Sequence, residues 1–166
     1  MTPRENIMRA IRFEQPDHIP MHFSVNGACW HHYDQNALQD LMEAHSFLFP
    51  DFKRQETVAP HYGLNARKDA PYTDPWRCVW KTSDDGITGS VHGHPLADLD
   101  QLDGFIAPDP ELTDGTYPVD WQRTEERVKR QKANGQFVCG GLPHGHTFLR
   151  LQDIRGYESL ILDMTD

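Results

Sequence analysis

Only two short stretches of this chain have the unbroken apolar character of strands buried on both faces: IPMHFSV (19–25) and FVC (137–139). Each such strand needs a neighbour on both edges, so two of them are too few for a self-contained parallel sheet. Between and around them the chain alternates helical spacing with one hairpin pattern. The order helix, strand, helix, hairpin, helix, strand, helix belongs to an α/β protein with right-handed crossovers. The barrel that this rhythm suggests takes about 250 residues, whereas the chain has 166. The pattern therefore predicts a partial (β/α)8 TIM barrel, its amino-terminal portion, carrying an inserted β-hairpin, with 1–166 as a single incomplete domain.

Local signals set the expected elements. Thr2, Pro3 and Glu5 make a capping box with proline at a position that needs no donor. The helix they open presents Ile7, Met8 and Ile11 and should stop before EQPDHIP, where Pro16 and Pro20 remove donors. Asn26 and Gly27 are expected to form a loop at the carboxyl end of the first core strand, with His22 and Ser24 on one side of that strand. Asn36 is expected to cap a second helix to about Phe47. In WRCVWKTSDDGITGSVH, Trp76, Cys78 and Trp80 alternate with Arg77, Val79 and Lys81, and Asp85–Gly86 favours a tight reversal, which predicts a β-hairpin. ADLDQL offers one short helical turn. A third helix is expected over 120–133, stopped by Asn134 and Gly135, and a last one from Phe148 through Leu151, Ile154, Tyr157, Ile161 and Met164.

Charge narrows the partners. With 25 acidic against 16 basic side chains, a formal net charge of −9, a phosphate-neutralising nucleic-acid surface is not expected. No apolar run approaches the roughly 20 residues of a membrane helix, and MTPRENIMRAIRF lacks a signal-peptide core, so a cytoplasmic protein that engages no membrane is expected. Cys29, Cys78 and Cys139 are odd in number and lack CxxC spacing, which argues for reduced thiols and against a four-thiolate zinc site. No phosphate loop, dinucleotide fingerprint, SxxK or GxSxG is present.

The stretch FVCGGLPHGHTFLRL raises the question of a site, because Gly140 and Gly141 would let backbone approach a ligand while His144 and His146 reach it from a strand-end loop. The plainer alternative is a turn with solvated histidines near a helix start. His22, Asn26 and Trp30 are the companion candidates for a substrate pocket: a polar side chain in the first core strand, an amide at its end and an aromatic plate just beyond. Their alternative is a hydrogen-bonded core histidine and a tryptophan that covers the sheet. His92 and His94 could form a metal pair on one strand face, or simply pack, and no companion carboxylate or thiolate stands at metal-ligand spacing beside His144 and His146, so no metal site is assigned. Trp76 and Trp80 read as hydrophobic cover, and no residue is assigned as catalytic.

Three stretches in order, TPRENIMRAIRFEQPDHIPM, DPWRCVWKTSDDGITGSVHGHPLADLDQLDGFIAPDP and FLRLQDIRGYESLILDM, resemble the amino-terminal half of the uroporphyrinogen decarboxylase superfamily, in particular its decarboxylase-like and corrinoid-dependent methyltransferase branch. The resemblance implies a (β/α)8 barrel with its site at the carboxyl ends of the strands. It also implies methyl transfer among a small methylated substrate, a corrinoid and a thiol, with a corrinoid protein or a second chain that completes the barrel as partner. Zinc and corrinoid are implied for a complete family member; none is expected to be bound by this chain alone, since the family's zinc ligands lie in the second half and the chain stops at LILDMTD. True uroporphyrinogen decarboxylases, which are lyases, carry an arginine-rich stretch after the first strand to hold the tetrapyrrole carboxylates. Here that place reads HFSVNGACWHHY, without arginine, which disfavours tetrapyrrole carboxy-lyase activity. The rival expectation is a non-catalytic binding or interaction module that buries its strand edges against another chain.

Overall fold

The computed structural model describes residues 1–142 and 147–165. The chain divides into two compact units, one built from Met1–Pro60 and Asp120–Gly140 and the other from His61–Val119 and Gly141–Asp166. The structure is mixed α/β: helices and a small, open, three-stranded antiparallel sheet. Among the described residues the strands close no barrel. No helix there is long and apolar enough to cross a membrane.

In the first unit, α1 (Pro3–Ile11) begins with the expected capping box, Thr2 accepting from Glu5 N while the Glu5 carboxylate accepts from Thr2 N at 2.8 Å. The chain that follows folds back through Asn6, whose Nδ2 donates to the His18 carbonyl at 2.9 Å and whose Oδ1 accepts from Asp17 N at 2.7 Å. The stretch 19–25 is not the buried strand its composition predicts. It has no strand assignment, and Ile19, Met21 and Phe23 are 77%, 54% and 44% exposed. A strand exists only as part of a ladder, and no partner stands beside this one among the described residues. The expected loop at Asn26 and Gly27 is instead a short helix, α2 (Gly27–His32).

Helix α3 (Gln35–Ala44) is capped two residues earlier than expected: Asp34, not Asn36, accepts from a first-turn amide, Ala37 N, at 2.7 Å. Gln39 is buried and binds Gln55 N through Oε1 at 2.8 Å, holding the next segment against the helix. Helix α4 (Trp121–Ala133) runs where the sequence places it, from an Asp120 cap to Asn134 and Gly135, with Gly135 at φ +66°. The stretch 137–139 has no strand assignment either; Phe137 and Val138 are half-buried and Cys139 is exposed.

The second unit holds the sheet, with β1 (Tyr72–Thr73), β2 (Val79–Lys81) and β3 (Ser90–Gly93) in sequential antiparallel order, so it is not a piece of a parallel sheet. The expected hairpin exists as β2–β3, but Asp85–Gly86 do not make a two-residue reversal: residues 82–89 form a longer loop. That loop docks through Gly86 N on the Ala66 carbonyl at 2.8 Å and Gly89 N on the Asn65 carbonyl at 2.9 Å. The tight turn lies instead between β1 and β2 in DPWR. Asp74 and Pro75 occupy their favoured turn positions, Arg77 N donates to the Asp74 carbonyl at 2.8 Å, and Arg77 adopts φ +68°. The final helical pattern breaks into α5 (Phe148–Arg155) and α6 (Tyr157–Asp163) at Gly156, whose φ of +86° no other residue adopts readily. Cys78, Leu96 and Ile154 form the core of this unit, flanked by Trp76, Trp80, Val91 and Phe105.

Candidate functional site

Of the residues expected to line a pocket, His22 is exposed in the segment before α2, which has no helix or strand assignment. Asn26 is the N-cap of α2, its Oδ1 accepting from Cys29 N at 2.9 Å, so the helix itself uses the amide. Trp30 is half-buried on α2, and its carbonyl accepts from Gln35 Nε2 at 3.3 Å. His144 and His146 lie outside the described residues. Ile19, Met21 and Phe23, beside His22, line an apolar groove of about 360 Å³ together with Ile7, Phe47 and Leu48.

The most developed polar constellation is in the other unit, and it is centred on Asp74. This carboxylate is wholly buried and accepts three hydrogen bonds: Cys78 N to Oδ1 at 2.9 Å, Trp80 Nε1 to Oδ2 at 2.9 Å and Arg150 Nη1 to Oδ2 at 3.2 Å. A buried carboxylate is tolerated only when paired and saturated in this way. The Arg150 guanidinium also lies 5.4 Å from the Trp76 ring centroid, and Trp76 stacks on Phe105 at 6.4 Å. Gly115, at φ +92°, permits the chain to pass against Trp76, where a Cβ would sit 2.6 Å from Nε1.

The second anchor is the Asp153 carbonyl in α5, which accepts from His94 Nδ1 at 2.8 Å and from Cys78 Sγ at 3.3 Å. A carbonyl only accepts, so His94 carries its proton on Nδ1. Burial pushes the Cys78 thiol up to about 12, with the Asp74 and Asp153 carboxylates adding to the effect. It is therefore not a thiolate nucleophile at neutral pH. Burial likewise raises the Asp153 carboxyl above its ordinary range, opposed by Arg150. Arg155 completes the join, donating to the Leu96 carbonyl at 2.8 Å and the Ala97 carbonyl at 2.6 Å while pairing with Asp163.

With both oxygens of Asp74 accepting hydrogen bonds, this cluster fastens the β1–β2 turn to α5. Sequence reasoning missed it because Asp74 stands in a polar Pro- and Asp-rich stretch that reads as loop. The available signals were Asp-Pro at a turn and the Arg150/Asp153 spacing on a helix. The reading of Trp76 and Trp80 as cover holds for their rings, which flank the core, but Trp80 also has a polar role in its bond to Asp74. In the structure His92 Nε2 meets Ser90 Oγ at 3.2 Å, while His94 Nδ1 turns to the Asp153 carbonyl. Among the described residues no group of three or more His, Cys, Asp or Glu is placed to hold a metal. These residues do not fit the zinc of the resembled family, and no chemistry here is routed through it. All three cysteines are free.

No protein-family model matches the chain, and neither a curated protein nor a solved structure matches it.

Proposed function

We propose that the chain is part of a cytoplasmic, decarboxylase-like (β/α)8 barrel protein whose complete form moves a methyl group between a small methylated donor, a corrinoid and a thiol. Its own share of that function is substrate-pocket wall, supplied by His22, Asn26, Trp30, His144 and His146, with the activating zinc held by other parts of the barrel. The observation that carries this reading is the segment 19–25: apolar at Ile19, Met21 and Phe23, exposed at all three, without helix or strand assignment, and running directly into the Asn26-capped helix that bears Trp30. A first barrel strand has this composition, and the loop at its carboxyl end is where barrels place substrate contacts. Supporting it, two of the stretches on which the family resemblance rests are fastened together by the Asp74–Arg150 and His94–Asp153 bonds. The absence of arginine from 22–33 continues to disfavour a tetrapyrrole polycarboxylate as substrate.

The same exposed apolar residues favour a second reading, a non-catalytic module that binds another chain along this edge. Titration of the ¹⁵N-labelled chain with methylcobalamin separates the two. Saturable shifts confined to 22–33 and the neighbouring groove, weakened by Trp30→Ala, are expected for pocket wall. An unchanged spectrum, together with self-association that Met21→Lys abolishes, would favour the interaction module instead.

A further inference from the structure

We propose that the outer face of the β2–β3 hairpin binds a small dianionic oxyanion of the phosphate-monoester class. Lys81 and Ser90 are direct cross-strand partners, so their side chains leave the same face of the sheet. His92 follows Ser90 by two residues and shares that face, with its Nε2 3.2 Å from Ser90 Oγ. These three side chains border an open surface groove of about 530 Å³, with Thr88 and Gly89 lining its loop side.

The lining is what distinguishes this groove. In a chain of formal net charge −9, it contains a lysine, a histidine and four hydroxyl residues, and no carboxylate. No ion pair among the described residues engages Lys81. The loop acids Asp84 and Asp85 both stand outside the lining: Asp85 Oδ1 accepts from Lys68 N at 2.8 Å and Asp84 Oδ2 from Ser83 Oγ at 3.0 Å, while Thr82 Oγ1 donates to the Asp84 carbonyl at 3.1 Å. That leaves the Lys81 ammonium, the Thr88 hydroxyl and the Ser90–His92 pair as donors on this exposed face. An ammonium point charge beside a hydroxyl and an imidazole suits a tetrahedral oxyanion, and it repels a metal cation. Gly89 keeps the geometry: a Cβ there would collide with the Lys81 carbonyl, so only glycine lets the loop return this close to β2 and bring Ser90 opposite Lys81. The groove is open to solvent, so a small esterified group can extend out of it.

The test is a ¹⁵N–¹H titration of the full chain at low ionic strength with inorganic phosphate and, separately, glycerol phosphate. The expected result is saturable shifts at Lys81, Ser90 and His92, with affinity falling about tenfold in Lys81→Gln and falling again as salt is added. Ser90→Ala should weaken binding by a smaller factor. Tighter binding of the ester assigns the ligand as a monoester, and equal affinities assign the phosphate group alone. All three side chains are exposed, so the variants should keep the parent spectrum elsewhere. Shifts that fail to saturate, or a saturation curve that Lys81→Gln leaves unchanged, would overturn the proposal.

Discussion

The two units of this chain differ in what they bury. Among the described residues, every buried apolar side chain, Ala66, Cys78, Leu96, Ile154 and Leu160, belongs to the unit that holds the sheet. The helical unit buries only two amides, Asn6 and Gln39, and leaves Ile19, Met21 and Phe23 in solvent. One unit is organised by long-range bonds around Asp74 and an apolar core, the other by caps and by single side chains that pin extended segments to helices. Buried amides give a segment its position, whereas apolar burial supplies most of the favourable free energy of folding. The helical unit therefore has a defined shape with a surface that further protein could cover, which is the physical content of the barrel-fragment proposal.

The largest expected effect is at the sheet unit's anchor. Asp74→Ala should lower its unfolding free energy by about 2–4 kcal/mol, because it leaves the Cys78 amide, the Trp80 indole N–H and the partly buried Arg150 guanidinium without their shared acceptor. Urea denaturation followed by tryptophan fluorescence measures this, and a loss no larger than that of an exposed aspartate of the same unit such as Asp103 would break the comparison. Next comes Gly156→Ala, which forces a side chain into a left-handed conformation between α5 and α6 at a cost of about 1–3 kcal/mol. In the helical unit, Asn6→Ala removes both bonds to residues 17 and 18 and should cost about 1–3 kcal/mol. Its spectral changes should stay near α1, sharpening the contrast with the spread of effects from Asp74.

Thiol chemistry gives a finer view. Alkylation at mildly alkaline pH should modify exposed Cys139 at once and leave Cys78 unmodified until its unit opens, because burial holds that thiol near 12. The smallest effects are those of pH. Asp163 is held below the ordinary carboxylate range by its bond to Arg155, so its contribution is present above that range and is lost as pH falls through the lowered value. Asp163→Asn should flatten the acid limb of the stability profile. Asp153, raised by burial, has the opposite sign: its ionisation reduces stability as pH rises through the raised value, so Asp153→Asn should lessen that decline.

Elements with local causes were legible in the sequence. The Thr2–Glu5 capping box, the Asp120 start and Gly135 stop of α4, and the short turn over Leu99–Gly104 each follow from residues within a few positions. Asp34 in place of Asn36 as the α3 cap is the same chemistry displaced by two residues, since either side chain can accept from a first-turn amide. The stretches 19–25 and 137–139 were misread because composition reports a preference for burial, whereas a strand also requires a partner that local sequence does not specify. The Asp74 cluster was invisible for a related reason: its members Asp74, His94 and Arg150 are brought together only by tertiary packing. The site candidates fared unevenly, since Asn26 was singled out for a ligand and serves a helix N-terminus, while Trp30 stays half-buried on that helix.

Amide hydrogen exchange resolved by residue tests the contrast between the units most directly. The account predicts the slowest exchange at Cys78 and Leu96, whose amides bond to Asp74 and to the Ile154 carbonyl, and the fastest at Met21 to Phe23. Protection across 19–25 equal to that of β2 and β3 would contradict it, because that segment would then already have the partner it is said to lack.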